Sequence, residues 1–599
     1  MRMSQSTLLL TIAALTAASS HLLAVPPSSD FGPNVLVFNP SMSVADIEAA
    51  ANAIANQQIS NQFGTDRYAL LFLPGTYGSS TNPLTFQVGY YTEVAGLGAS
   101  PADVVINGTL DVYNQCFGSN NCIALDNFWR SLSNLTINVT RAPGAGCRNG
   151  TDFGAVSQAA PMRRVSIKGG NLSLMDYCSN PAYASGGFIA DTQTAGGTIT
   201  NGSQQQFLVR NSNIDGWSNG VWNQVFSGVI GAPAQSFPNP PYTTLATSLA
   251  TRERPFLYVD SDGNYNVFVP ALQTNSSGTT WATGSTPGSS IPLKEFFIAT
   301  PGSSVGDINS ALARGRNLIF TPGVYTFNDP VVIRHPDTVV LGLGFPTLSP
   351  QQGNHAMKVT AHKGVIIAGL IFDAGPMNSP VLLEIGTRHE ASGDSWHNRA
   401  APDPTTLNDV FFRIGGASAG KATTSLVVNS NNVLLDDIWA WRADHGTGVG
   451  WTVNTADTGL VVNGDHVTAY GLFVEHYQKY QVIWNGEDGR TIMFQNEMPY
   501  DPPSQDAWMH DGIDGFAAYK VADSVQTHQG WGLGSYCFFN QGIAIHAAHA
   551  FEVPETSGVQ MHDLLTVLLS GSGGIDNVIN NTGGPTVKAG TAVNVVSFP

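Results

Sequence analysis

The sequence predicts an all-β fold, two similar right-handed parallel β-helices in tandem, and three observations carry that prediction. Residues 69–78 read ALLFLPGTYG and residues 318–325 read LIFTPGVY, one phrase repeated at an offset of about 250 residues. Self-similarity on that scale marks a duplicated domain. Short β-branched runs recur at roughly 20–30 residues with Asn and Gly turns between them, the spacing of coils that stack on one another. The composition agrees: 64 glycines, 34 prolines and only 12% charged residues favour turn-rich β structure over helical bundles. A β-sandwich would instead show tight hairpins every ~8–12 residues, and clean Asn-Gly hairpins are few. At 599 residues the chain exceeds what one compact core supports.

The elements follow in order. Met1-Arg2-Met3, the apolar stretch 8–15 and the small residues 17–20 have the basic start, short apolar run and small-residue exit of a secretory signal peptide, assigned to residues 1–24. The apolar run falls well short of the ~20 residues that span a bilayer, and no membrane partner is expected. The first β-helix is assigned to residues 30–235. It opens with a helical segment, ADIEAAANAI from Ala45, passes through the Pro-Gly-x-Tyr phrase and reaches Gly-Leu-Gly at 96–98. The runs VVINGTLDVY, SLSNLTINV, RRVSIKG and FLVRNSNIDG follow as coils. Four of the five cysteines lie here, and an oxidising compartment permits two disulfides, most simply Cys116–Cys122 and Cys147–Cys178, with Cys537 a buried free thiol. Sequons at Asn107, Asn134, Asn138, Asn149, Asn171, Asn201, Asn275 and Asn580 suggest a glycosylated product. Residues 236–295, rich in Pro, Ser, Thr and Gly, read as a connector with a short hairpin at PFLYVDSDGNYNVFVP. The second β-helix, 296–599, repeats the plan: GDINSALARG from Gly306, the Pro-Gly-x-Tyr phrase, then Gly-Leu-Gly at 342–344.

Charge narrows the function. A net charge of −17 argues against nucleic acid, which demands a basic footprint. It also argues against an anionic polyuronate, and a neutral polysaccharide fits better, bound by a monomer. Thirteen of the 43 acidic residues fall within 436–514, together with Trp439, Trp441, Trp451, Trp484 and Trp508. Carboxylates interleaved with flat rings form a sugar-binding composition, the carboxyls supplying acid and base for glycosidic cleavage. The alternative is an acidic solvated face over buried tryptophans. The matching stretch of the first copy, 217–250, has no Asp or Glu, which makes the second copy catalytic and the first supportive.

Glu475 in LFVEHYQKYQ and Glu497 in FQNEMPYDPP stand 22 residues apart, close to one coil, which places them on neighbouring rungs. Two close carboxyls cannot both ionise freely, so one has a raised pKa and can serve as general acid. Asp444-His445 binds a sugar hydroxyl or orients Glu475, or else caps a turn. At most one of Asp436 and Asp437 faces the cleft, because strand neighbours point oppositely. His476 follows Glu475 directly and by the same rule is structural. No Cys/His cluster has zinc spacing and no nucleotide-binding glycine motif is present, so neither metal nor cofactor is expected.

VEHYQKYQ followed by NEMPYDPP resembles the VEHH-x-x-YQ and ETPYYQP segments of the family 55 glycoside hydrolases, the exo-β-1,3-glucanases or laminarinases. DIWAWRADHG and HQGWGLGSYCFF resemble further segments of that family, best from about residue 300 to 599. The acidic Gly-Asp-Gly-x-x-Asp-Asp opening is replaced by Val44-Ala-Asp-Ile and Val305-Gly-Asp-Ile, the mark of a divergent branch. The resemblance implies a pectate-lyase-like solenoid and an inverting exo-hydrolase, with Glu497 as general acid, its pKa expected to be raised by burial against Tyr500 and by Glu475, and Glu475 positioning the attacking water. Trp441, Trp451, Trp484 and Trp531 are expected to offer rings to the substrate, and Asp444, His445, Tyr480, Gln481 and Tyr500 polar contacts. Adjacent rungs place the carboxyls nearer the ~5 Å of retaining enzymes than the roughly 6.5–9.5 Å of inverting ones. The remaining readings are a hydrolase for another linkage such as α-1,3-glucan, a polysaccharide lyase, and a non-catalytic carbohydrate-binding β-helix.

Overall fold

The computed structural model describes residues 31–118, 121–202, 204–387 and 403–599. The leader assigned to 1–24 lies outside the described residues. Two 13-stranded sheets dominate, one running from Val35–Phe38 to Tyr242–Leu245 and the other from Phe296–Ala299 to Ala592–Phe598. Within each, successive coils pair in parallel, as in Val94↔Leu132 and Leu434↔Thr468. A second face of eight parallel strands, Val331–Ile333 to Phe551–Glu552, completes the coils of the second helix. Parallel sheets bury both faces, and the strands of the second sheet, such as Val433–Arg442, are buried along their whole length.

The repeated phrase has the same physical job in both copies. Helix α1 (Val44–Gln58) and helix α2 (Val305–Ala313) are capped by Ser43 and Ser304, whose hydroxyls accept the amide N–H of Asp46 and Asp307 at 3.1 Å. The tyrosine of each phrase closes the first coil: Tyr77 donates to the carbonyls of Phe38 and Leu73, Tyr325 to those of Ala299 and Thr321. The glycine lets the chain pass a proline. A Cβ at Gly75 would lie 2.7 Å from Pro40, and one at Gly323 2.3 Å from Pro301. Both disulfides form as expected, Cys116–Cys122 and Cys147–Cys178, and Cys537 is a buried thiol whose pKa burial pushes up.

The segment 236–295 does more than connect. Tyr242–Leu245 extends the first sheet, and the expected hairpin forms between Phe256–Val259 and Tyr265–Pro270, joined by Gly288–Pro292. Its Arg252, Glu253 and Arg254 are buried where the two helices meet. There Arg163 binds Asp409 and Asp436 at 2.7 and 2.8 Å, and Arg210 bridges Asp436 at 2.6 Å and Glu253 at 2.5 Å. Around these ion pairs lies a shared aromatic core, with Phe128 and Trp129 of the first helix against Trp439 and Trp441 of the second. The helices therefore dock side by side through aromatic rings and buried ion pairs. Two sequons are corrected by burial: Asn134 donates to the carbonyls of Gly96 and Gly98, and Asn201 is wholly enclosed, so neither can carry a glycan in the folded protein.

Candidate active site

A cleft of about 750 Å³ opens between the two helices, and both supply its walls. From the second helix come Trp441, Asp444, His445, Glu475, His476, Glu497, Tyr500 and Phe538. The first supplies Asp126, Phe128, Gln158, Ser185, Gln205 and Trp222. Glu475 ends strand Thr468–Glu475 and Glu497 ends its neighbour Gly489–Glu497, in the register that pairs Phe473 with Gln495 two residues earlier. Neighbouring rungs are thus confirmed as the device that brings the two carboxyls together.

The carboxyls do not touch one another directly. Gln495 Nε2 donates to Glu475 Oε1 at 3.3 Å and to Gln205 Oε1 at 2.8 Å, and Gln205 Nε2 donates to Glu497 Oε1 at 2.9 Å. Two amides therefore bridge the pair. Glu475 is the more deeply set, 3% exposed, and accepts from Gln158 at 2.6 Å and from the indole N–H of Trp439 at 2.8 Å. Burial raises its pKa well above the ordinary carboxylate value, and the charge of Glu497 raises it further. Glu497 Oε2 accepts the hydroxyl of Tyr500, whose own pKa burial and Glu497 push well up. The carboxyl that burial and its partner raise is therefore Glu475, a correction to the expectation that named Glu497.

Asp444 and His445 sit at one end of the cleft. His445 Nδ1 lies 3.0 Å from Asp444 Oδ1, Gln62 of the first helix reaches His445 Nε2 at 2.6 Å, and Asp126 lies 4.0 Å away. Burial alone would raise Asp444, but His445 and His476 outweigh it and hold its carboxyl below the usual range. Against the same burial, Asp444 raises His445.

His476 overturns the structural reading. Its backbone is left-handed, φ 66°, so the alternation of a strand stops at Glu475 and the ring turns into the cleft. Its Nε2 lies 3.8 Å from Asp444 Oδ1 and 3.9 Å from Glu497 Oε2. Arg442 accompanies it from below, paired with Asp501 at 2.9 Å and donating to the His476 carbonyl, which fixes the turn that carries Tyr500.

Of the residues expected to contact sugar, Trp441, Asp444, His445 and Tyr500 line the cleft, whereas Trp451, Tyr480, Gln481, Trp484 and Trp531 are absent from its lining. Trp484 is fully buried inside the second helix against Tyr519 and His528. Gln481 is consumed by its own turn, bonding Tyr477 in both directions. Trp451 packs over Arg442, Tyr480 bonds His510, and Trp531 stacks on His562. Even Trp441 is 1% exposed, a floor stacked on Trp439, with its N–H on Asp444. Asp436 and Asp437 both leave the cleft, Asp436 for the ion pairs between the helices and Asp437 for the buried core beneath them. Gln158, Ser185, Gln205 and Gln495 went unread, although the glutamines of SQAAP and NGSQQQF interrupting apolar coils were a signal. Among the described residues no group of three or more His, Cys, Asp or Glu is placed to hold a metal ion.

The family model of the LAM55 pectate lyase-like domain matches residues 296–497. The chain is 52% identical over 95% of its length to an exo-β-1,3-glucanase of Streptomyces sp. SirexAA-E, covering 90% of that protein. Its fold superposes on the solved structure of sacteLam55A from the same organism with a TM-score of 0.88 at 51% identity, covering 95% of this chain and 99% of that one. A Glu→Ala variant of sacteLam55A in complex with glucose matches with a TM-score of 0.87 at 50% identity, over 95% and 98% of the two chains.

Proposed function

The chain belongs to glycoside hydrolase family 55, the exo-β-1,3-glucanases, and from that membership we propose how its own residues cleave β-1,3-glucan. The single observation that carries the reading is the pair Glu475 and Glu497 at the ends of adjacent rungs, opening on one cleft walled by both helices.

Glu497 is the general acid. Gln205 fixes one of its oxygens and Tyr500 the other, at the cleft wall where a glycosidic oxygen can receive its proton. Glu475 is the base. Ser185 Oγ and Glu475 Oε1 share one donor, Gln158 Nε2, at 2.6 Å each, and Gln158 Oε1 is buried with no donor of its own. These atoms surround a place for a water that attacks the anomeric carbon while Glu475 takes its proton. The bond to the leaving oxygen breaks as Glu497 protonates it, so each turnover releases one sugar and a shortened chain. The Gln495–Gln205 bridge keeps the carboxyls apart and leaves room for water on one side, which supports inversion.

The exo-glucanase relatives support attack at a chain terminus. Among the described residues the cleft is lined by Asp126, Asp444, Glu475 and Glu497 and by no lysine or arginine, which suits a neutral glucan better than a uronate and disfavours the lyase reading. The basic leader and the two disulfides support secretion, and a cleft walled by a single chain is compatible with a monomer.

Incubation with laminarin, α-1,3-glucan and pectate, with product analysis, tests the proposal. Glucose released from laminarin alone, appearing first as the α-anomer by NMR, is the expected result. Long oligosaccharides from laminarin, or unsaturated products from pectate, overturn it.

A further inference from the structure

Part of the wall that the first helix contributes, Tyr183, Ala184 and Ser185, lies on an excursion between strands Asn171–Ser173 and Phe188–Ala190. Residues 174–187 form no helix and no strand, only a single bridge from Pro181 to Cys122. Such a segment has no ladder to hold a catalytic side chain in place. Both disulfides converge on it instead.

Cys147–Cys178 clamps its start. Beside that bond the buried carboxylate of Asp176 accepts from Arg148 at 2.6 Å, from the Cys178 amide at 3.1 Å and from Ser179 at 2.8 Å. Cys116–Cys122 closes the small antiparallel pair Gln115–Cys116 with Cys122–Ile123, and the excursion lies along it. Ala182 donates to the Cys122 carbonyl at 2.9 Å, and Ala124 donates to the Tyr183 carbonyl at 2.8 Å. Asn114 ties the two clamps together, donating to the carbonyls of Cys122 and Asp176 and accepting the Asp176 amide. From there the route to the reaction is short. Ser157 donates to the Ala124 carbonyl and accepts the Ser185 amide, both at 2.9 Å, and Gln158 joins Ser185 Oγ to Glu475.

We propose that the two disulfides are positioning elements for catalysis, holding Ser185 and Gln158 in register with Glu475 across the gap between the helices. The inference rests on the hydrolase reading above. A disulfide that only stabilises raises Tm and leaves the turnover of the folded enzyme alone; one that positions a water-binding wall sets kcat, because small misplacements of reacting groups cost large factors in rate.

The test compares wild type with C116S/C122S, C147S/C178S, Ser185→Ala and Ser157→Ala, each assayed on laminarin well below its own Tm. Both disulfide variants are expected to lose roughly ten- to hundredfold in kcat, with KM nearly unchanged. The acid limb of their kcat/KM profile moves to lower pH, because water admitted beside Glu475 relieves its desolvation. Ser185→Ala gives the same loss, and combining it with either disulfide variant adds little, as expected for groups acting through one another. Wild-type kcat and an unmoved acid limb in the folded variants, with only Tm lowered, overturn the inference. Should a disulfide variant fail to fold, Ser157→Ala decides: it keeps both bonds while cutting the link to Ser185, and unchanged kcat there is equally fatal. Wild type inactive on laminarin defeats the hydrolase reading instead.

Discussion

At the scale of single residues the site is a pair of carboxyls made unequal by their surroundings. Glu475 is enclosed and its pKa raised by burial and by Glu497, so in the base role proposed for it activity is lost as pH falls through that raised value. The acid limb of kcat/KM should therefore lie above the ~4.3 of an ordinary glutamate, and a limb at or below it would contradict the assignment. Replacing Glu497 by Gln should slow laminarin hydrolysis by about 10²–10⁴-fold without unfolding the protein. An activated aryl glucoside, whose leaving group needs little protonation, should partly rescue Glu497→Gln but not Glu475→Gln, since the latter loses the acceptor for the water's proton. Glu487 is the control. It accepts the amides of Gln526 and Thr527, so Glu487→Gln should weaken that turn and spare kcat. Both cleft glutamates were legible because each ends an apolar run one coil apart. The amides facing them were not, since Gln158 and Gln205 lie about 300 residues away in the chain and glutamine has no spacing signature.

At the scale of elements the duplicated phrase was legible for a local reason: cap, glycine and tyrosine act within one coil. Gly323→Ala puts a methyl 2.3 Å from Pro301, and the backbone of that coil must shift to admit it. Overpacking of this kind costs typically ~1–3 kcal/mol, so chemical denaturation should show a loss of that size in the second helix. An unchanged midpoint would mean that the first coil yields freely. Reading strands by strict alternation failed at His476, where the backbone turns left-handed. Asp437 and His476, with φ 63° and 66°, each break the inside–outside sequence, and His476 was assigned to the wrong face for that reason alone. Trp484 erred differently. A coil has more than one face, and an aromatic on Val482–Trp484 points into the coil's own core, away from the cleft.

At the scale of the molecule neither helix holds a complete site, so activity depends on how the two dock. Tandem architecture was readable from the repeat; the docking face was not, because its arginines and carboxylates come from three separate stretches of chain. Arg163 and Arg210 of the first helix, Glu253 of the intervening segment, and Asp409 and Asp436 of the second form one buried lattice. Removing one partner of a buried pair is strongly destabilising, about 3–5 kcal/mol, because the other charge is left uncompensated. Asp436→Asn should therefore lower Tm and, through the loosened junction, kcat as well. The pH dependence carries a definite sign. Burial pushes Asp436 up, but Arg210 and Arg163 outweigh it and hold its pKa below the ordinary value. A carboxylate with a depressed folded pKa contributes stability that is present above its unfolded pKa of ~3.9 and is lost as pH falls through the folded value. Wild type should accordingly lose stability below about pH 4, while Asp436→Asn, already lacking that charge, should show a shallower decline over the same window. Parallel declines in the two proteins, followed by thermal unfolding from pH 7 to 2.5, would show that Asp436 does not join the helices through its charge.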